Sequence, residues 1–545
     1  MANTIVTYDP VEKVWHGPTK RWIFGKKGFP EIIYNFLSKN LKHITQISDD
    51  SGEIYTAERM LKAGISCARA LNSLGIKKGD NVLSLMDNHH YMVPTWLGVV
   101  FIEAVLCPFA MTDNSVKEEI SDIIDQIQPK LFVTSRVDLI DHFKEIFKNL
   151  NIDCPIYIYE NKIEGCYDLR PLLEHDVKIE EFTPPKVKDS ANDIIMLTLS
   201  SATTGKPKLI NSTHMQLLSA FTEHQGQHKL ASTNKPGWSA ENNLALSPLY
   251  CPYTRVITAR DLTIDEFLEM IEKHKIGIVI MKPKDIFAAI RSKTIKKVNL
   301  SCLKFCATMG QHLSHKIATE FQGYIRNAAI LNMYATSDVG ITISTLIVGF
   351  GKAGSVGKIN QNVSVRVVNE EGQNVGPNEL GELYVTSKIP FAGYYKNEKL
   401  TAEAMDKDKY YHTGDMGFID EEGNVTLVDR KKFLISYGGE FLNQAEIEKI
   451  VMDHIKGVEA VCVVDIEHEQ YNVIPIIVII PEPDAKLNEQ EIIDTIHKFY
   501  GKTFFTRVFF VESMPQTLSG KFKKHLVREQ LLKLMNDEMS KEAKR

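Results

Sequence analysis

The sequence predicts an α/β protein in two parts, a large multi-sheet layered N-terminal domain over residues 1–428 and a small α+β C-terminal domain over 429–545. Three observations carry this. Short apolar runs alternate with helical patterns through the first two thirds, the arrangement of layered α/β folds with a mainly parallel sheet. After about residue 363 the texture changes to hairpin-like strands with Gly and Asn turns, a β-rich subdomain over 363–428. Past Asp429 a compact helix, strand, strand, helix, strand pattern is long enough for a core of its own.

Taken in order, the near-continuous apolar runs at 81–86, 130–135, 155–160 and 194–199 read as buried strands. Residues 115–127 and 139–150 between them repeat apolar positions at helical spacing. Tyr91 to Met111 is apolar and long enough on paper to span a bilayer, but Glu103, Pro94 and Pro108 interrupt it. A buried helix feeding a strand is the expectation. Beyond residue 363, VSVRVVNEEGQ, LGELYVTS and GNVTLVDR read as hairpin strands. In the last part AEIEKIVMDHI and EQEIIDTIHKFY read as helices, and EAVCVVDIE, VIPIIVII and RVFFVES as strands. The closing stretch from Lys523 reads as an amphipathic helix.

Composition narrows the function. With 64 basic against 69 acidic side chains, nothing points to nucleic acid as a partner. The eight cysteines form no CxxC pair or zinc-like cluster, and the first residues lack the apolar core of a signal peptide. A reducing, cytoplasmic location is the expectation, with no transmembrane segment.

The most informative segment, residues 199–208 (LSSATTGKPK), directly follows the strand at 194–199. Its hydroxyls, glycine and lysines offer backbone N–H groups, O–H donors and positive charge to a polyphosphate. It is not a Walker A loop, which needs Gly where Ser200 stands and Ser or Thr where Pro207 stands. The GxGxxG at Gly349 to Gly354 is followed by strand and turn character rather than the opening helix that dinucleotide binding requires. Four further segments follow the loop in order: Tyr334-Ala-Thr-Ser-Asp338, Tyr411-His-Thr-Gly-Asp415, Asp429-Arg-Lys-Lys432 and Pro515-Gln-Thr-Leu-Ser-Gly-Lys521. Singly, each has an ordinary reading as a turn, cap or surface charge.

Jointly, the five segments resemble those of the adenylate-forming (AMP-binding) superfamily, whose members include acyl-CoA synthetases, 4-coumarate-CoA ligases and luciferases. The resemblance runs from Thr56 to about Leu532, and the spacing is most similar to insect luciferase-like acyl-CoA synthetases. It implies the adenylate-forming fold with a mobile C-terminal domain hinged near Asp429. The implied activity is an ATP-dependent carboxylic acid:CoA ligase using ATP, Mg²⁺ and coenzyme A, with a fatty or aryl acid as substrate. By the same resemblance, Ser200, Ser201, Thr203, Thr204, Gly205 and Lys208 hold phosphates. Asp338 takes the metal, with Ser337 beside it in the nucleotide site. Asp415 and Arg430 hold the ribose, and Tyr334 packs at the adenine beside Gly310. Lys521 bridges the substrate carboxylate and the α-phosphate, so Lys521 and Asp338 are the catalytic candidates.

Several positions depart from the family pattern. Asp338 stands where the family usually has Glu. Ala202 and Leu209 replace glycines, and a Cβ at a position needing φ > 0 would distort the cradle. Ala335 and Ser337 alter the Tyr-Gly-x-Thr-Glu pattern, and Gln311 and His312 replace smaller residues. After Pro248 the chain reads as lacking a helix that lines the acyl pocket. The stretch Ser436, Gly438, Gly439, Glu440 and Phe441, which faces CoA in relatives, lacks the luciferase-type lysine. Two alternatives therefore stay open: a catalytically weakened nucleotide-binding paralogue, and adenylation without CoA transfer. The final Glu542-Ala-Lys-Arg545 is not the Ser-Lys-Leu-type peroxisomal signal of many relatives.

Overall fold

A computed structural model describes the chain except for residues 1–5, 21–22, 111–116, 160–162, 201–207, 220–225, 311–312, 314, 340–343, 348–354, 390, 432–433, 438–439, 469–471, 505, 517–521 and 543–545. Among the described residues the strands form sheets of fifteen, seven, three and two strands. The protein is a mixed α/β, multi-sheet molecule with a large N-terminal domain and a small C-terminal one.

The seven-stranded sheet is built from the apolar runs read as strands. Asn81–Leu85, Val105–Pro108, Leu131–Thr134 and Ile156–Ile158 are parallel, and Ile194–Leu199 joins them beside Val105–Pro108. Both faces are covered, which is why the strands are apolar without alternation. The segment that raised a membrane question is the helix Met92–Phe101 feeding the strand Val105–Pro108, and all of its helical residues are buried. It packs on helix Ala57–Ser73, where Gly64 and Gly98 leave room for Leu97 and Cys67. Glu103 lies in the turn after the helix and pairs with Lys78 at 2.7 Å, so its charge avoids the core. No helix among the described residues is long and apolar enough to cross a membrane.

The fifteen-stranded sheet combines a parallel part, running from Ile44–Ser48 to Ala329–Tyr334, with an antiparallel part that includes the hairpin strands after residue 363. Among the described residues no α-helix lies between Pro248 and the strand Tyr253–Ile257; the helix of this connection stands before Pro248. Ser239–Leu246 forms the crossover between the parallel strands His228–Ser232 and Tyr253–Ile257, and Pro248 lies in the short 3₁₀ turn that follows. Parallel neighbours require such a crossover.

In the C-terminal part, alternate residues of two long strands feed opposite cores. Val461, Val463, Ile477 and Ile479 face helices Gln444–His454 and Glu489–Tyr500, while Cys462, Val464, Ile476 and Val478 face helix Lys524–Glu542. Period-two side-chain alternation in a sheet covered on both sides explains the unbroken apolar sequence.

Candidate functional site

The loop expected to hold phosphates joins two antiparallel strands at the edge of the seven-stranded sheet, Ile194–Leu199 and Leu209–Thr213, with Leu199 opposite Leu209. Its base is tied twice: the Ser200 N–H donates to the Lys208 carbonyl at 2.9 Å, and the Lys208 N–H donates to Ser200 Oγ at 3.0 Å. Ser201, Ala202, Thr203, Thr204 and Gly205 lie outside the described residues. Leu209 is an ordinary strand residue with its side chain buried in the core, so the anticipated strain from a Cβ there does not arise.

Three of the predicted nucleotide residues meet around one carboxylate. Asp415 and Arg430 stand opposite each other on adjacent antiparallel strands, with Arg430 Nε 2.7 Å from Asp415 Oδ1. The hydroxyl of Tyr334, at the end of strand Ala329–Tyr334, donates to Asp415 Oδ2. The register explains this convergence. Strand Tyr411–Ile419 bulges between His412 and Met416, where Gly414 takes φ +69° and its N–H donates to Glu382 Oε1 at 3.1 Å. Thr413 Oγ1 accepts from the Asp415 N–H at 3.0 Å and donates to the Leu383 carbonyl at 2.7 Å, fixing the Asp415 backbone. Asp415 is only 7% exposed, while the Arg430 side chain reaches solvent. Burial opposes the Arg430 charge, but Asp415, with Tyr334, Tyr411 and Asp338 beyond it, raises its pKa overall. Burial and the adjacent Asp415 charge hold the Tyr334 phenol far above its ordinary pKa, so it stays a donor. A carboxylate has about four lone-pair directions, leaving Asp415 room for further donors such as vicinal hydroxyls.

Asp338, four residues after Tyr334, belongs to a second cluster. Its Oδ1 accepts from the Tyr394 hydroxyl at 2.6 Å, and the Tyr411 hydroxyl is 3.4 Å from that of Tyr394. Lys208 Nζ lies 4.8 Å from the centroid of the Tyr394 ring. No cluster of three or more His, Cys, Asp or Glu side chains suited to a metal occurs among the described residues. A single hard carboxylate beside a phosphate loop nevertheless fits magnesium, which takes one or two carboxylates and completes its shell with phosphate oxygens and water.

Ser337 lines a cleft with Thr198, Asn211, Ser212, Gln216 and Ser239, between the hairpin that carries the phosphate loop and the crossover helix. Gly310 ends strand Phe305–Met309 with φ +87°, and a Cβ there would sit 3.2 Å from Trp238 Cη2. Only glycine meets both the backbone and the spatial requirement at that point. Gln311, His312 and Lys521 lie outside the described residues. The side chains of Asp429, Ser436, Glu440 and Phe441, and all of Gly438 and Gly439, are likewise outside the description.

Sequence reasoning missed Tyr394, Tyr411 and Trp238. Tyr411 had a visible signal, since it opens a quoted motif. Tyr394 and Trp238 carry no charge and stand outside every motif used.

A family model described as AMP-binding enzyme matches residues 39–395, and one described as AMP-binding enzyme C-terminal domain matches residues 446–521. The chain is 26% identical over 535 residues to 4-coumarate:CoA ligase 1 of Petunia hybrida, covering 92% of this chain and 94% of that protein. Its fold is similar to the anthranilate CoA ligase AuaEII in complex with anthranoyl-AMP, with TM-score 0.80, 19% identity, and 94% and 98% of the two chains covered. It is also similar to the luciferase-like enzyme of the nonluminescent mealworm Zophobas morio, with TM-score 0.68, 22% identity, and coverage of 76% and 98%. With the first family model spanning well over half of its length, the chain belongs to the AMP-binding enzyme family.

Proposed function

We propose that the chain is an ATP-dependent carboxylic acid:CoA ligase, converting a fatty or aryl acid first to an acyl-AMP and then to an acyl-CoA. The observation that carries this reading is the Asp415 carboxylate, held between Arg430 and Tyr334 at the place where a ribose diol is expected. The naming of relatives as 4-coumarate-CoA ligases supports an acid:CoA ligase and favours an aryl acid within that class.

In the first step a substrate carboxylate oxygen bonds to the α-phosphorus of ATP, the bond to the bridging oxygen breaks, and pyrophosphate leaves. Such a reaction asks the protein mainly to position reactants and to neutralise charge. Lys208, Ser200 and the loop residues Ser201, Thr203, Thr204 and Gly205 hold the β and γ phosphates. Asp415 accepts from the ribose hydroxyls, with Arg430 fixing its orientation. Tyr334 packs at the adenine beside Gly310, and Ser337 belongs to the same nucleotide site. Asp338 would hold magnesium, which would supply charge neutralisation at the phosphates. Lys521 donates to the carboxylate and α-phosphate oxygens as negative charge gathers there. In the second step the CoA thiol gives up its proton to solvent, its sulfur bonds to the acyl carbonyl carbon, the bond from that carbon to the phosphate oxygen breaks, and AMP leaves. A hinge near Asp429 swings the C-terminal domain between the steps, withdrawing Lys521 and presenting the stretch from Ser436 to Phe441.

The test is incubation with ATP, magnesium, CoA and a panel of aryl and fatty acids, with mass detection of acyl-CoA and AMP. An acyl-CoA formed with at least one acid supports the reading. Acyl-AMP that accumulates while CoA is present removes the second step, and no product with any acid removes the function.

A further inference from the structure

We propose that Tyr394 is a positioning residue: its hydroxyl holds the Asp338 carboxylate in the orientation that receives metal-bound ATP, and its ring ties that carboxylate to Lys208 at the base of the phosphate loop. The proposal rests on the reading of Asp338 as the magnesium ligand.

Tyr394 is fastened to the phosphate-loop strand. The Asn211 N–H donates to the Gly393 carbonyl at 3.1 Å, the Tyr395 N–H donates to the Leu209 carbonyl at 2.9 Å, and Asn211 Nδ2 donates to the Ala392 carbonyl at 3.1 Å. The Tyr394 N–H is held by Thr401 Oγ1 at 2.9 Å. Segment 392–395 therefore moves with strand Leu209–Thr213, which begins immediately after Lys208.

From this backbone, anchored to the seven-stranded sheet, the side chain crosses to the fifteen-stranded sheet. It is 5% exposed and packs edge-on against Phe391, with ring centroids 5.0 Å apart and planes at 73°. Its hydroxyl ends 2.6 Å from Asp338 Oδ1, in the loop that follows strand Ala329–Tyr334, while Lys208 Nζ lies 4.8 Å from the ring centroid. In this contact the phenol O–H is the donor and the Asp338 carboxylate the acceptor. One rigid side chain thus spans the loop lysine and the acidic residue that is expected to act on the same polyphosphate. Aspartate is one methylene shorter than glutamate, so its carboxylate cannot extend to find a ligand, and its orientation must be set from outside. An apolar aromatic of the same shape would fill the space equally well without setting that orientation.

Tyr394→Phe keeps the ring and its packing and removes only the hydroxyl. Calorimetric titrations are run with ATP in magnesium and with AMP in EDTA, on wild type, Tyr394→Phe, Asp338→Asn and the double variant, with circular dichroism confirming that each is folded. The expected result is a roughly tenfold weaker affinity of Tyr394→Phe for ATP in magnesium, about 1.4 kcal/mol, with AMP affinity within about twofold of wild type. In the Asp338→Asn background, removal of the hydroxyl is expected to cost little more, since the two groups act as one. Unchanged ATP affinity, an equal loss for ATP and AMP, or additive losses would each overturn the positioning role while leaving the proposed reaction standing. A wild-type chain whose ATP affinity ignores magnesium would overturn the Asp338 reading together with this proposal.

Discussion

Asp415, the proposed ribose acceptor, illustrates how neighbouring groups fix one side chain. Both of its oxygens already accept strong donors, one from Arg430 and one from Tyr334, and its backbone is held by Thr413. Removing the carboxylate takes away the acceptor that the Tyr334 phenol and the Arg430 guanidinium share. Asp415→Ala is expected to weaken nucleotide binding more than about tenfold and to cost about 1–3 kcal/mol of stability, read by calorimetry and denaturant unfolding. Two histidines make a separate prediction. His214 accepts the Phe29 N–H on Nδ1 at 3.3 Å, and His89 accepts the Tyr91 N–H on Nδ1 at 3.3 Å. Both rings are buried, and burial lowers their pKa values, to about 4 for His214 and about 3 for His89. Below the unfolded value near 6.5 the unfolded chain binds protons that the folded chain refuses, so stability falls as pH falls. Each ring contributes about 1.4 kcal/mol per pH unit in that window. The thermal midpoint is expected to drop between pH 6.5 and 5, and His214→Gln, which keeps an acceptor for Phe29, is expected to flatten that slope. An unchanged slope contradicts the assignment.

At the scale of elements, the crossover helix Ser239–Leu246 is the clearest place where sequence reading and structure part. The apolar strands at 81–85, 131–134 and 194–199 were legible because a doubly covered strand must be apolar throughout. The crossover helix was not legible because its buried positions include Glu241 and Asn242, which break any apolar stripe. Glu241 finds its counter-ion only in three dimensions, in Arg255 at 2.6 Å on the next strand, with Asn88 accepting from the same guanidinium. Both side chains of the pair are at most 2% exposed. Glu241→Ala leaves the Arg255 charge buried without its counter-ion, and denaturant unfolding is expected to register a loss of about 3–5 kcal/mol. Replacing Arg255 by Met in the same chain is expected to recover part of that loss. A loss below 1 kcal/mol in the single variant contradicts the account of this helix.

For the whole molecule, motif order carried the family, and the alternation of strand and helix carried the architecture. The proposed nucleotide residues Asp415, Arg430 and Tyr334 could be named from the sequence because they stand in segments that resemble the family's motifs. Their arrangement was not legible, because it depends on a bulge at Gly414 and on strands brought together from residues 334, 415 and 430. The Asp338 to Tyr394 contact joins residues 56 positions apart and uses an uncharged side chain, so no local pattern announces it. The C-terminal part, with two cores on one small sheet, has internal packing of its own, which the proposed swing of Lys521 would call on. The most direct measurement is acid-dependent ATP–pyrophosphate exchange in wild type and Lys521→Ala, with ATP binding followed in both. The account predicts exchange with at least one carboxylic acid in wild type, and its loss by at least about a hundredfold in Lys521→Ala with ATP binding retained. Exchange that survives undiminished in Lys521→Ala, or is absent with every acid in wild type, contradicts it.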